Sequence, residues 1–223
     1  MTERFLIFGH RGSPRRYPEN TLASFDAALR AGADGLETDV RLLSDGTAIL
    51  YHDDECLEEE IESLSSAALA GRGVVVQPLA DLAPYAERTT MILEVKRSKW
   101  EDVLLEQVTG WPNVILASFD HSVIEELARR KAGFPLGITL YGTIAGVADY
   151  AARLGASWCF PNYRYVDREM AAQLDRKGIR TVPWTPNRPG EWKRLREIGC
   201  AGVITDVPEE AVAWRNEGVN PRG

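Results

Sequence analysis

Cysteine is scarce in this sequence, and no cysteine lies in a metal-binding or redox motif. Cys56, Cys159 and Cys200 stand far apart, with no CxxC pair and no histidine cluster beside them. This pattern argues against a disulfide framework and against a thiolate zinc site. Three unpaired cysteines are typical of a reducing compartment, so we expect a cytoplasmic protein.

Long apolar runs are also missing. No run approaches the roughly 18 apolar residues of a membrane-spanning helix, and the apolar stretch near the start is too short for a secretory signal. The net charge of −7 argues against a nucleic-acid-binding surface. No low-complexity segment, repeat or linker interrupts the 223 residues, so we expect one domain over residues 1–223. The oligomeric state stays open.

Short β-type runs alternate with amphipathic helical stretches along nearly the whole chain. This alternation predicts an α/β fold with a mostly parallel sheet and helical crossovers, in which Asn20 or Thr21 caps the first helix. A doubly wound open sheet fits almost as well, but no GxGxxG or P-loop motif follows the first strand. The strands are expected at residues 5–10, 35–40, 48–53, 91–96, 114–119, 136–140, 158–162, 180–185 and 202–206.

The second and third of these runs predict a β-hairpin. Nine strands exceed a (β/α)₈ barrel by one, and a hairpin excursion over about residues 41–53 accounts for the extra strand. The Asp45-Gly46 pair predicts a two-residue type I′ turn. In that register Asp39 lies opposite His52 and Glu37 opposite Asp54, with all four side chains on one face. A solvated hairpin face is the ordinary alternative.

Acidic side chains at the ends of the predicted strands indicate a metal site. Glu37, Asp39 and Glu94 supply three carboxylates without a nearby thiolate, which favours a hard cation, Mg²⁺ or Ca²⁺. Arg11 and Lys96 are positioned to hold an anionic substrate such as a phosphate. A plain ion pair between Glu94 and Lys96 is the ordinary alternative.

Two of the three histidines belong to the same set of strand ends. His10 and His52 can exchange protons near neutral pH, so we predict a general acid and a general base. Phe119 and Trp184 are expected at the rim, as packing residues or as the cover of an apolar substrate part. Two imidazoles, two cations and a divalent ion together suit cleavage of a phosphodiester.

Several motifs carry a resemblance to a known family. "HRGSPRRYPENTLASF" starts at His10, "ADGLETDVRLLSDGTAILYHDD" ends at residue 54, and "ILEVK", "ASFD", "WTPN" and "GCAGVITDVPE" follow in order. Together these segments resemble the glycerophosphodiester phosphodiesterase family from residue 9 to about residue 209. Any one of them alone would be a weak signal.

The resemblance implies a barrel enzyme that uses a divalent cation to split glycerophosphodiesters into sn-glycerol 3-phosphate and an alcohol. It implies a mechanism in which the glycerol 2-hydroxyl attacks phosphorus and water opens the resulting cyclic phosphate. The positions that match the family motifs are the metal ligands, acid/base pair and phosphate-binding cations already named. Small-molecule substrates are therefore the expected partners.

The chain departs from the family pattern after His52. The segment "HDDECLEEEIESLSSAALAG" lacks the usual Arg-Thr-Thr, and the insertion before Glu94 is reduced. The catalytic set is complete, whereas the substrate wall differs. A lysophospholipase D acting on lysophospholipids is therefore one alternative function, favoured if an apolar rim is exposed. A non-catalytic phospholigand-binding module is the other, since fold does not determine function.

Overall fold

The structure of the protein is a computed structural model, which describes residues 4–217. Strands and helices alternate along the chain, as predicted. The strands are β1 Leu6–His10, β2 Gly35–Leu42, β3 Ala48–Leu50, β4 Glu55–Cys56, β5 Glu59–Glu60, β6 Gln77–Pro78, β7 Thr90–Val95, β8 Val114–Ser118, β9 Leu136–Leu140, β10 Trp158–Pro161, β11 Arg180–Thr181 and β12 Gly202–Thr205. The helices are α1 Leu22–Arg30, α2 Ser66–Gly71, α3 Ala83–Ala86, α4 Glu101–Val108, α5 His121–Arg129, α6 Val147–Arg153, α7 Arg168–Arg176, α8 Pro189–Glu197 and α9 Pro208–Glu217.

Within residues 4–217 the main sheet has ten strands. Eight of them follow the order β11-β10-β9-β8-β7-β2-β1-β12, and every pairing along this path is parallel. β3 and β6 join the sheet beside β2 through antiparallel pairings. The two ends of the order meet. The Ala201 N–H donates to the Thr181 carbonyl at 2.8 Å, and Trp184 bridges Ile204 in parallel. The eight strands predicted for the barrel therefore form a ring, which is the predicted (β/α)₈ architecture.

The interior of the ring is filled by side chains from opposite strands. Because these residues come from strands around the whole ring, including strands that do not pair with one another, they can meet only inside it. A larger apolar cluster packs between the strands and the surrounding helices. The interior cluster comprises Phe8, Ile92, Ile115, Ala117, Phe160, Val182 and Ile204.

The predicted hairpin exists, but its register is one residue away from the expected one. Val40 pairs with Leu50 and Leu42 with Ala48, so Tyr51 rather than His52 lies against Asp39. The turn has three residues, because the Leu43 N–H donates to the Thr47 carbonyl and Gly46 adopts a φ of +83°.

The side chain of Asp45 explains the longer turn. It accepts the Thr47 N–H at 3.1 Å and the Ser66 N–H at 2.8 Å, which favours a turn built around Asp45 over a type I′ pair. The expected pairing of Glu37 with Asp54 is wrong for the same reason. Asp54 is mostly exposed and bonds to Arg41 instead.

Several strands end earlier than predicted. β3 stops at Leu50 rather than residue 53, and β11 covers only Arg180 and Thr181 of the predicted 180–185. Beyond β11, isolated parallel bridges continue through Trp184 to Asn162 and Ile204. His52, beyond β3, and Trp184 both line the cavity described below. Within residues 4–217, no helix is both long enough and apolar enough to cross a lipid bilayer.

Candidate active site

A cavity of about 320 Å³ lies at the carboxyl ends of the barrel strands. Parallel strands direct their carboxyl ends to one face of a barrel, so polar residues distant in sequence meet there. Apolar side chains of the barrel interior, such as Phe160 and Ile204, form the floor. The cavity is lined by all the predicted site residues: His10, Arg11, Glu37, Asp39, His52, Glu94, Lys96, Phe119 and Trp184.

The three predicted metal ligands lie together at the bottom of this cavity. Glu37 and Asp39 share a face of β2, and the parallel register places Glu94 of β7 beside Asp39. Carboxylate oxygens of the three residues all lie within 4.8 Å of one another, and all three residues are buried. Among residues 4–217, no other cluster of three or more histidine, cysteine, aspartate or glutamate side chains is placed to hold a metal ion.

The charges of these carboxylates are only partly balanced by the protein. Burial and the neighbouring charge of Asp39 raise the pKa of Glu37 to about 8. Burial also disfavours the charged form of Asp39, but the cations Lys96 and Arg11 outweigh it and lower its pKa to about 2. A cation beside Glu37 would relieve the repulsion between the two carboxylates, so the three residues fit a divalent ion with oxygen ligands.

Lys96 and Arg11 hold the carboxylates from two sides. The Lys96 ammonium lies 2.8 Å from Asp39 Oδ1 and also bonds to Glu94, so the expected Glu94–Lys96 ion pair exists within a larger cluster. Arg11 Nε lies 3.1 Å from Asp39 Oδ2 without hydrogen-bond alignment, and its Nη1 donates to Glu19. Both cations face the cavity.

His10 is oriented by residues from the far end of the chain. Its Nδ1 hydrogen-bonds Asp206 Oδ1 at 2.7 Å, and its Nε2 faces Glu37 Oε2 at 3.9 Å. Asn187 Nδ2 in turn donates to Asp206 Oδ2 at 2.7 Å. Burial lowers the pKa of His10, but the Asp206 hydrogen bond and the charge of Glu37 outweigh it and raise the pKa overall. The Asp206 contact leaves Nε2 as the nitrogen free for proton exchange.

His52 reaches the cavity by a different route from the one predicted. It follows β3 instead of pairing across the hairpin, and its side chain is 39% exposed. Its Nδ1 contacts Asp53 Oδ1 at 2.7 Å, while Arg41 Nη2 donates to its backbone carbonyl at 2.8 Å. The buried Arg41 guanidinium also bonds Asp54 and Glu62. Arg41 therefore fixes the segment that carries His52.

We expect Arg41→Met to lower stability by about 2 kcal/mol, because it leaves a partly buried carboxylate and a carbonyl without their charged donor. Urea unfolding measures this loss. Arg97→Met is the matched control, since Arg97 contacts the same Asp54 from an exposed position at 3.3 Å. It should cost less than about 0.5 kcal/mol. Equal losses from the two variants would show that the Arg41 network does not hold the segment.

Four residues near the site were not assigned a role in it from sequence: Asp206, Asn187, Asn20 and Glu19, of which Asn20 was considered only as a cap of the first helix. Asp206 was visible only as a polar strand end, and Asn187 only as part of "WTPN". Asn20 donates to Asp39 Oδ2 at 3.1 Å and accepts from Thr38 at 2.7 Å, while Thr21 caps α1. Glu19 holds Arg11. Asn20 and Glu19 belong to "PENT", which could have indicated a role in the site. The residue types alone predicted only the start of a helix there.

Aromatic side chains form part of the cavity wall and continue outward from it along the protein surface. The rings of Phe119 and Trp184 meet edge to face at 5.5 Å, and Tyr141 lies 6.1 Å from Trp184 and from Tyr165. Tyr141 is 66% exposed. None of the cavity-lining residues comes from 53–91, in agreement with the reduced insertion. An aromatic strip, Phe119–Trp184–Tyr141–Tyr165, therefore leads from the cavity wall to the exposed rings of Tyr141 and Tyr165.

Comparison with known proteins is consistent with this geometry. The profile of the glycerophosphoryl diester phosphodiesterase family matches residues 10–63 and 80–210. A glycerophosphodiester phosphodiesterase of Caldanaerobacter subterraneus subsp. tengcongensis is 25% identical, over 93% of this chain and 96% of that protein.

Solved structures share the fold. The glycerophosphodiester phosphodiesterase of Thermotoga maritima superposes with a TM-score of 0.84 at 27% identity, covering 96% of this chain and 99% of that chain. An Oleispira antarctica phosphodiesterase in complex with the product sn-glycerol-3-phosphate has a TM-score of 0.83 at 20% identity, covering 95% and 96%.

Proposed function

The chain belongs to the glycerophosphoryl diester phosphodiesterase family, and from that premise we propose that its cavity hydrolyses glycerophosphodiesters to sn-glycerol 3-phosphate and an alcohol. The observation that carries the proposal is the meeting of three carboxylates, two imidazoles and two cations on one cavity. The product bound to the Oleispira antarctica enzyme is the product expected here.

Glu37, Asp39 and Glu94 would hold a divalent cation. Such an ion supplies positive charge that offsets the carboxylates and stabilises negative charge developing on phosphate oxygens. Hard oxygen ligands suit both Mg²⁺ and Ca²⁺. Arg11 and Lys96 border the same cavity, and we assign them to the phosphate: the planar guanidinium matches two phosphate oxygens, and the ammonium acts as a point charge.

The two histidines transfer protons on either side of the phosphate. One imidazole accepts the proton of the glycerol 2-hydroxyl as its oxygen bonds to phosphorus, and the other gives a proton to the alcohol oxygen as its bond to phosphorus breaks. Water then opens the cyclic phosphate with the two roles reversed. For His10 the exchanging atom is Nε2, because Nδ1 is held by Asp206. This scheme needs no protein nucleophile.

We expect Asp206→Asn to lower kcat about a hundredfold, because Asp206 orients His10 and stabilises its charged form. The ¹⁵N signals of the His10 ring should show a changed tautomer population, which a merely structural role would not produce. Asp167→Asn is the control, since Asp167 accepts the Met170 N–H as the cap of α7 and asparagine caps equally well. An unchanged kcat in Asp206→Asn would contradict the assignment.

The reaction is tested by glycerol 3-phosphate release from glycerophosphocholine and glycerophosphoethanolamine, with Mg²⁺, with Ca²⁺ and with EDTA. Release that depends on metal and stops with EDTA supports the proposal, and comparison of the two ions identifies the preferred one. No release with either ion would contradict it. Binding of the diester without release would favour a non-catalytic phospholigand-binding module.

A second candidate, cleavage of lysophospholipids by a lysophospholipase D reaction, is favoured by the exposed aromatic strip. Phe119 lines the cavity and Tyr165 forms the outer end of the strip; each is 44% exposed, so the strip offers an apolar surface to an acyl chain. Choline release from lysophosphatidylcholine tests it, with Tyr141→Ser as the variant. If removal of the ring leaves the ratio of kcat/KM for lysophosphatidylcholine and glycerophosphocholine unchanged, the strip does not bind the acyl chain.

The cellular location remains a proposal. We propose a cytoplasmic enzyme on the basis of three free cysteines, all of them buried. Fractionation of cells that produce the protein measures it.

A further inference from the structure

A second cavity, of about 400 Å³, opens beside the catalytic cavity, and Thr185 lines both. Among residues 4–217, three arginines border it, Arg15, Arg164 and Arg188, together with one carboxylate, Glu191. Three guanidinium groups against one carboxylate leave a local charge of about +2, whereas the whole chain carries −7. We call this space the arginine cavity.

The guanidinium groups of the arginine cavity have few partners. Arg164 Nε contacts the Tyr163 hydroxyl at 3.3 Å, and the carboxylate nearest to Arg15 is Asp206 at 3.9 Å. Glu191 Oε2 accepts the backbone N–H groups of Asn187 and Arg188 at 2.8 and 3.1 Å, so it is occupied at the start of α8. Within the described part of the chain, neither Arg164 nor Arg188 lies within 4.0 Å of a carboxylate oxygen, although the charge of Glu191 acts on Arg164 from a greater distance. Their donors are available to an anion.

The arginine cavity is close to the reacting groups. Asn187 lines it and donates to Asp206, which bonds to His10. The alcohol part of a diester must lie beside a histidine that exchanges its proton. From that point a longer alcohol can continue past Thr185 into the arginine cavity.

We propose that the arginine cavity binds a phosphate group carried on the alcohol part of a diester substrate. The inference rests on the proposed function and specifies its substrate class: glycerophosphodiesters whose alcohol is itself phosphorylated. A phosphate presents several oxygens to planar guanidinium groups, and charge-assisted hydrogen bonds of this kind are strong. A cationic head group is disfavoured by the positive charge of the cavity.

The test compares glycerophosphoinositol with glycerophosphoinositol 4-phosphate, which differ by one phosphate. We expect kcat/KM to be about tenfold higher for the phosphorylated substrate, and Arg164→Ala and Arg188→Ala each to remove most of that preference. Arg168→Ala is the matched control. It removes the same charge from an exposed position at the start of α7, outside the arginine cavity. Its substrate ratio should equal that of the unaltered protein.

Equal kcat/KM for the two substrates, or a preference that Arg164→Ala and Arg188→Ala leave intact, overturns the inference while the proposed function stands. Loss of the preference in Arg168→Ala as well would overturn it too, because the effect would then be one of overall charge. If the protein hydrolyses none of the three compounds, glycerophosphoinositol, its 4-phosphate and glycerophosphocholine, the proposed function itself is wrong. Circular dichroism of the three variants confirms that each is folded.

Discussion

We expect His52→Ala to lower kcat about a thousandfold, since general acid–base catalysis by one positioned side chain contributes about 10²–10⁴. The variant should fold normally, because the His52 side chain is 39% exposed and, among residues 4–217, hydrogen-bonds only its neighbour Asp53. Metal affinity should stay unchanged, because His52 is not one of the three clustered ligands. Steady-state release of glycerol 3-phosphate, thermal unfolding and metal titration measure these three quantities.

His121→Ala is the control for this experiment. His121 bonds the Tyr150 hydroxyl at 2.8 Å and the Thr139 carbonyl at 3.0 Å, and it does not line the catalytic cavity. Its loss should reduce stability by about 1 kcal/mol and leave turnover largely intact. Full turnover by His52→Ala would contradict the role of His52 as a general acid or base, whatever the behaviour of His121→Ala.

We expect Glu37→Gln to lower metal affinity about 10- to 100-fold and to lower turnover with it. The substitution keeps the shape of the side chain but removes one negative ligand charge, on which affinity for hard cations depends. In EDTA the stability of the variant should equal or exceed that of the unaltered protein, because the substitution removes a carboxylate buried beside Asp39. Calorimetric titration with Mg²⁺ and Ca²⁺ and thermal unfolding in EDTA measure both effects.

Glu101→Gln controls for the loss of any buried carboxylate. Glu101 is 5% exposed, lies outside the catalytic cavity and accepts the Lys99 N–H at 3.0 Å. Its substitution should leave metal affinity unchanged. If Glu37→Gln binds the metal as tightly as Glu101→Gln does, Glu37 is not a ligand.

The architecture could be predicted from sequence because it depends on local periodicity. Alternating short apolar runs and amphipathic helices specify parallel strands with crossovers, and parallel strands bring their carboxyl ends to one face. That rule alone was enough to place Glu37, Asp39 and Glu94 together. It also brought His10 and Lys96 to the same cavity, whatever the detailed geometry of the loops.

The hairpin register could not be predicted in the same way. The Asp-Gly pair indicated the correct turn but the wrong turn length, because Ser66, 21 residues beyond Asp45, takes part in holding the turn. The observed register differs from the predicted one by one residue. His52 therefore lies outside the β2–β3 ladder, and Asp54 does not face Glu37. His52 still reaches the cavity, since Arg41 holds the segment that follows the strand.

The sequence by itself determined the alternation of strands and helices along the chain, the family and the side chains that meet at the strand ends, because each depends on residue type and short-range spacing. Tertiary structure alone decided which groups support them. Asp206 meets His10 across 196 residues because the last strand, β12, pairs in parallel with the first, β1. Closure of the ring between β11 and β12 brings Arg15, Arg164 and Arg188 to one cavity. Contacts between distant strands and loops depend on packing of the whole barrel, which no local pattern encodes.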